Sequence, residues 1–149
     1  MAKFNFRLQQ ILNIREQFER KKELEHADAI RKREIERRKL RELIAKKDEE
    51  IDSLREVVST SIDPTTVRLH NNSIEGLKIK IVEQEARVAE ADAFVEKKRQ
   101  ELVKAMQERK AMDNVRDSAF EEFTEEEKLA EARQVDELVS YKYAESIGN

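Results

Sequence analysis

Along the second half of the chain, apolar residues recur in an unbroken alternation of three- and four-residue steps. Of the fifteen positions 74, 77, 81, 84, 88, 91, 95, 98, 102, 105, 109, 112, 116, 119 and 123, eleven are apolar. Gln84, Lys98, Arg109 and Arg116 are the exceptions, and Ala91, Ala105 and Ala119 allow a partner helix to approach closely. This is a heptad seam, the mark of a helix packed lengthwise on another helix. Upstream the pattern is patchier. Leu40, Ile44, Ile51, Leu54 and Val58 make one seam, interrupted at Lys47. Phe4, Leu8, Ile11 and Phe18 make another, with Leu12 and Ile14 alongside. The stretch between them is poor in apolar residues, so it is expected to be thinly packed or bound to something else.

The two halves are divided at VSTSIDPTT, Val58 to Thr66, which holds the one proline of the chain. Pro64 cannot continue a preceding helix and disfavours helical geometry at Asp63. As first helical residue, with Asp63 as its N-cap, it starts a new one. The expected order is helix 1 over about 3–58, a turn over about 59–63, helix 2 over about 63–143 and a C-terminal tail at 144–149, all in a single coiled-coil domain. At 1.5 Å per residue the helices span roughly 80 and 120 Å. His70, Asn71, Asn72, Ser73 and Gly76 are weak helix formers that loosen the start of helix 2.

A turn near residue 62 pairs residues whose numbers sum to about 124. That register sets Arg31–Arg41, net +5, against residues 83–93, net −3. It also brings Phe4 and Phe6 near Phe120 and Phe123. The chain should therefore close on itself as a long antiparallel two-helix coiled-coil hairpin, all-α. About twenty C-terminal residues are left without a partner, although they carry Leu129, Val135, Leu138, Val139, Tyr141 and Tyr143. From Asp117 to Glu137 the charge is −7. An unpaired amphipathic helix is either frayed or docked on another protein.

Composition narrows the alternatives. Charged residues make up 42% of the 149 and aromatics 5%, too polar a mixture for a compact globule. The net charge of only −3 and the regular apolar spacing argue against disorder. Cysteine is absent, which excludes disulfides and thiolate metal sites. Neither a signal-peptide core nor a membrane span is visible, so a cytoplasmic location without membrane insertion is expected.

Candidate chemistry is sparse. No glycine-rich phosphate loop exists. His26 and His70 lack metal-ligand partners at helical spacing and read as exposed surface side chains. The basic run Arg31–Arg41 is broken by Glu34 and Glu36 and has no aromatics, which argues against nucleic acid. No catalytic residue, cofactor or metal is expected.

The opening residues Lys3-Phe4-Asn5-Phe6-Arg7-Leu8-Gln9-Gln10-Ile11-Leu12-Asn13-Ile14-Arg15-Glu16 resemble the start of the flagellar export protein FliJ family. Lys21, Lys22, Glu23 and Ala27 fit its polar continuation. Glu108–Met112, Ala119–Phe123 and Asp136-Glu137-Leu138 are similar to its closing helix. The resemblance implies a non-enzymatic component of the flagellar type III export apparatus, similar in fold to the γ-subunit stalk of rotary ATPases. It implies a stalk that enters the export ATPase ring, promotes its assembly and activity and links it to the export gate membrane protein. It further implies contact with export chaperones and a peripheral place at the inner membrane.

The joined chain ends, with Phe4, Phe6, Leu8, Ile11, Leu12, Phe120, Phe123 and Leu138, are the candidate ATPase-facing surface. The turn end, with Ile51, Leu54, Leu69 and Leu77, is the candidate surface for the gate. Each of these residues has a plainer role open to it, closing the coiled coil. A self-closed hairpin should be a monomer when free. The competing readings are a homo-oligomeric coiled-coil spacer or scaffold with no ATPase partner, and a cargo-binding secretion chaperone.

Overall fold

The computed structural model describes residues 2–148. Two helices, α1 (Gln9–Thr60) and α2 (Pro64–Ile147), pack against each other as an antiparallel hairpin, and no strand occurs among the described residues. Contacts gather into two units. Unit 1 joins the chain up to Arg20 with the chain from Lys104 onward, and unit 2 is Lys21–Val103.

α1 begins at Gln9 rather than near Lys3. Phe6 is buried and Phe4 half-buried, with Asn5 between them exposed. An extended backbone puts residues i and i+2 on one face, whereas a helix would turn them apart. Extending the arm thus lets both rings reach α2. The Gln9 N–H then donates to the Phe6 carbonyl at 3.1 Å as the helix opens. α1 runs on to Thr60, past Val58, because the Ser59 and Thr60 hydroxyls donate to the Glu56 carbonyl at 2.8 and 3.1 Å. The Ser61 N–H donates to the Val57 carbonyl at 3.1 Å and closes the last turn.

Asp63 caps α2. Its carboxylate accepts from the Thr65 N–H at 3.2 Å and from the Thr66 hydroxyl at 2.9 Å. At the other end α2 continues through Ala144–Ile147, which the sequence reading placed in the tail, and the Gly148 N–H still donates to the Ala144 carbonyl. Asn149, the last residue of that tail, lies outside the described residues.

In unit 2 the inner face of α2 is the expected one. Ile74, Ile81, Gln84 and Val95 are buried, and Leu77, Val88, Ala91, Lys98 and Leu102 half-buried. Facing them, α1 presents Lys22, His26, Ala29, Arg33, Glu36, Leu40, Leu43, Lys47, Glu50, Leu54 and Val57, while Ile44 and Val58 turn outward. In unit 1, Ala105 is buried, and Arg109, Met112, Ala119 and Phe123 are half-buried. There α1 turns Leu8, Leu12, Arg15 and Glu19 inward and leaves Ile11 and Phe18 outside.

The α1 seam is thus offset from the one its aliphatic residues suggest. The cause lies on α2. Arg109 bonds Glu19, and Arg15 donates to Glu108 at 2.7 Å. With Ile11 and Phe18 inside, Arg109 would sit against apolar side chains without its acid, which is costlier than exposing them.

Unit 2 is polar at one level of its seam. Lys22 and Lys98 lie 3.1–3.4 Å from the carboxylates of Glu25 and Glu101, and each lysine serves both acids. Hydrogen bonds, from Lys22 to Glu25 and from Lys98 to Glu101, hold both carboxyls below the ordinary glutamate value. A carboxyl depressed by folding stabilises the fold above its unfolded pKa and loses that contribution as pH falls through its folded pKa. The hairpin should therefore melt earlier as pH falls below about 4.5, the ordinary glutamate value. In Glu25→Gln this acid-side drop should be shallower, which thermal melts between pH 3 and 7 would measure.

Gln84 donates to the Glu36 carbonyl at 2.9 Å, and His70 lies 3.0 Å from Glu50. Both histidines are half-buried rather than exposed, a correction that follows from the offset of α1 and from the acid opposite His70.

Ala29 and Ala105 are each only 1% exposed, so the helices approach closely at both. A leucine has no room there, and Ala29→Leu should cost about 1–3 kcal/mol in urea unfolding.

Candidate partner-binding interface

In unit 1 the aromatic residues come together. Phe4 meets Phe120 edge-on, with centroids 5.2 Å apart, and Phe123 at 5.4 Å. The Arg116 guanidinium lies 5.9 Å from the Phe4 centroid. Phe6 and Leu12 are buried at 8% and 3% exposure and serve packing in the free chain. Leu8, Phe4 and Phe123 are half-buried, whereas Ile11 and Phe120 offer 43% and 52% of their surface to solvent.

Leu138 stands apart from this cluster on an exposed segment of α2. Every residue from Lys128 to Gly148 is exposed. Its apolar members fall into two groups. Leu129, Ala132, Val139, Tyr143 and Ile147 follow helical spacing along one side, and Leu138 with Tyr141 lies opposite. The inner seam of α2, continued past Phe123, would meet Glu126, Ala130, Arg133 and Glu137 instead. The stripe is therefore out of phase with the hairpin's own seam.

At the turn end, in unit 2, Ile51 and Leu54 are half-buried, Leu69 is 65% exposed and Leu77 half-buried. Leu77 lines an open groove with Lys46, Glu50, Ser73, Gly76 and Lys80, which the other three do not reach. A side chain at Gly76 would meet nothing within 4 Å. The hairpin's own packing therefore does not require this glycine, although it costs about 1 kcal/mol against alanine inside a helix. Lys46 and Lys80 approach from opposite helices and make no ion pair among the described residues. Sequence reasoning missed the groove because Gly76 was read only as a weak helix former. The signal was available in Lys46 and Lys80, whose numbers sum to 126 and so face each other.

The basic run Arg31–Arg41 is largely neutralised from within. Arg33 and Arg37 reach Asp92, Arg31 and Lys32 reach Asp28, Lys39 reaches Glu36 and Arg41 reaches Glu34. Few of these cations are left for a phosphate backbone. No group of three metal-ligating side chains exists among the described residues, and no described helix is long and apolar enough to cross a membrane.

Comparison with known proteins follows the same line. The family model described as flagellar FliJ protein matches residues 4–148. No curated protein sequence matches the chain. Among solved structures, a protein described as a YscO homologue of Chlamydia trachomatis superposes with a TM-score of 0.58 at 21% identity, over 95% of this chain and 96% of that one. This likeness shows the shared two-helix fold. The family match spans nearly the whole chain, from the aromatic arm to the exposed end of α2, and the chain therefore belongs to the FliJ family of flagellar, type III export-associated proteins.

Proposed function

We propose that this protein is the central stalk of a flagellar type III export ATPase, acting by contact and without chemistry of its own. Its unit 1 end enters the ATPase ring and promotes assembly and activity of that ring. The turn end reaches the export gate membrane protein, and the protein escorts export chaperones between cycles. It works as a monomer on the cytoplasmic side, held peripherally at the inner membrane through the apparatus, with neither nucleic acid nor lipid as a ligand.

The observation that carries this reading is the exposed end of α2. A polar helix of some twenty residues gains little on its own in water. Here it displays leucines, valines and two tyrosines, 57–70% exposed and out of phase with the hairpin seam. Such a segment is stabilised when another protein covers it. At the turn end, the groove at Gly76 supports a second contact, since it admits a partner backbone between two lysines without ion-pair partners. Lys46→Glu together with Lys80→Glu should weaken binding of the gate protein's cytoplasmic part about tenfold or more, while ATPase stimulation is kept.

The test is ATP hydrolysis by the flagellar export ATPase of the same cell, titrated with this protein where the ring is only partly assembled. A saturable rise in rate is expected. No rise, with no complex detected, would remove the stalk and leave a structural spacer.

A further inference from the structure

In a two-helix hairpin each helix has one neighbour, so the side of α2 opposite its inner seam is expected to be polar throughout. Over one stretch of unit 2 it is not. Ile79, Val82, Ala86, Ala89 and Ala93 repeat at steps of three and four residues, a second apolar stripe facing away from Ile81, Gln84, Val88 and Val95. All five are exposed, Ile79 by 60% and Val82 by 65%. The same face reads Asn72 and Glu75 before the stripe and Glu96 and Gln100 after it, so the stripe is confined to about four turns. The alanines have a plainer use as strong helix formers. Ile79 and Val82 do not, because branched side chains lose rotamer freedom in a helix and both leave apolar surface in water.

We infer that this outer face of α2 is the docking surface for an amphipathic helix of another protein, one whose own apolar stripe is bordered by lysine or arginine. The inference goes beyond the stalk reading: it uses neither end of the hairpin and stands without it. The spacing 79, 82, 86, 89 and 93 is a helical seam, and its three alanines let a second backbone approach closely. The charges beside the stripe choose the occupant. From Glu75 to Lys97 this face and its borders carry six acids, Glu75, Glu83, Glu85, Glu90, Asp92 and Glu96, against Lys78 and Lys97. Lys80 and Arg87 lie on the side toward α1, lining grooves with its residues. Glu75 is taken up by Lys78, Asp92 by Arg33 and Arg37, and Glu96 by Arg99. Glu83, Glu85 and Glu90 make no ion pair among the described residues. Carboxylates left over at the rim favour basic side chains on the partner. They also argue against a second copy. Two copies packed antiparallel with Ala86 against Ala89 bring Glu83 to Glu90 and Glu85 to Asp92, acid against acid on both borders. An anionic lipid surface meets the same repulsion.

The experiment uses the full chain and a labelled three-heptad peptide with leucine at positions a and d and lysine at e and g, beside a twin in which glutamate replaces lysine. Fluorescence anisotropy should show the lysine peptide bound, and the glutamate peptide weaker by about tenfold or more. Val82→Gln with Ala86→Gln should weaken binding of the lysine peptide about tenfold or more, since two polar side chains hold the helices apart. Both positions face water, so melting curves should not move. If the melting point falls, Glu83→Lys with Glu90→Lys decides alone, because it should turn the preference toward the glutamate peptide. A lysine peptide that binds the glutamine variant as well as the parent is attracted by acids elsewhere in the chain, and that result overturns the inference. Binding of neither peptide overturns it, as does a preference that Glu83→Lys with Glu90→Lys leaves unchanged. A dimer in sedimentation that Val82→Gln with Ala86→Gln dissociates assigns the face to a second copy and overturns it also.

Discussion

Truncation after Glu127 should abolish the rise in ATP hydrolysis that the full chain produces, while the remaining hairpin melts at an unchanged temperature. The two halves of this result have separate physical origins. Residues Lys128 to Gly148 are exposed throughout and add nothing to the core, so their loss costs the fold little. Binding is another matter. Leu129, Val135, Leu138, Val139, Tyr141 and Tyr143 are 57–70% exposed and free to be covered. Two or three of them acting as buried anchors at about 1–3 kcal/mol each correspond to a loss of affinity on the order of a hundredfold or more. Calorimetry of the hairpin together with the hydrolysis titration would read both halves. Retained stimulation would show that the exposed segment is dispensable and move the ATPase contact elsewhere in the chain.

Phe6→Ala should release the N-terminal arm without melting the helices. Residues 2–6 of the arm have no secondary structure, and side chains hold it. Phe6 is its buried anchor, while Phe4 makes edge contacts with Phe120 and Phe123. Removing a buried phenylalanine ring costs about 3 kcal/mol or more, as much as such a short segment can hold in reserve. Limited trypsin digestion should then cut at Lys3 and Arg7 many times faster than in the parent protein, while helical circular dichroism stays level. If cleavage is unchanged, Phe4 alone suffices to hold the arm. If the helices also melt, the arm is part of the hairpin's cooperative unit.

How much of this was visible in the residues differs between the two helices. The inner face of α2 could be read directly, because its heptad positions are mostly aliphatic and its four polar exceptions are isolated. The turn could be read because Asp63 and Pro64 each have one local preference, and the two agree. The inner face of α1 could be read only in part from α1: Leu8, Leu40, Ile51 and Leu54 lie inward as their spacing suggests. Its apolar spacing also suggests Ile11, Phe18, Ile44 and Val58, which are exposed; beside the first two, Glu19 goes inside because Arg109 is there. Phe4 was read as a helical seam residue, whereas it lies in the stretch 2–6 that has no regular secondary structure. At the candidate surfaces, Phe120 and Leu138 are as exposed as a docking role needs, and Phe6 and Leu12 are core. The groove at Gly76 escaped notice because it exists only through what the opposite helix sets beside it.

The sequence separation of the cross-helix bonds has a consequence for how the hairpin assembles. Glu50 and His70 are 20 residues apart, Lys98 and Glu25 are 73, and Arg109 and Glu19 are 90. Closing a loop grows costlier with its length, so pairing should nucleate beside Asp63 and Pro64 and zip outward. The aromatic arm then has to wait until Phe120 and Phe123 have been synthesised. On the ribosome, Leu8 to Ile14 spends most of translation uncovered, which makes that uncharged stretch the natural client of a holding chaperone before it has any partner to meet.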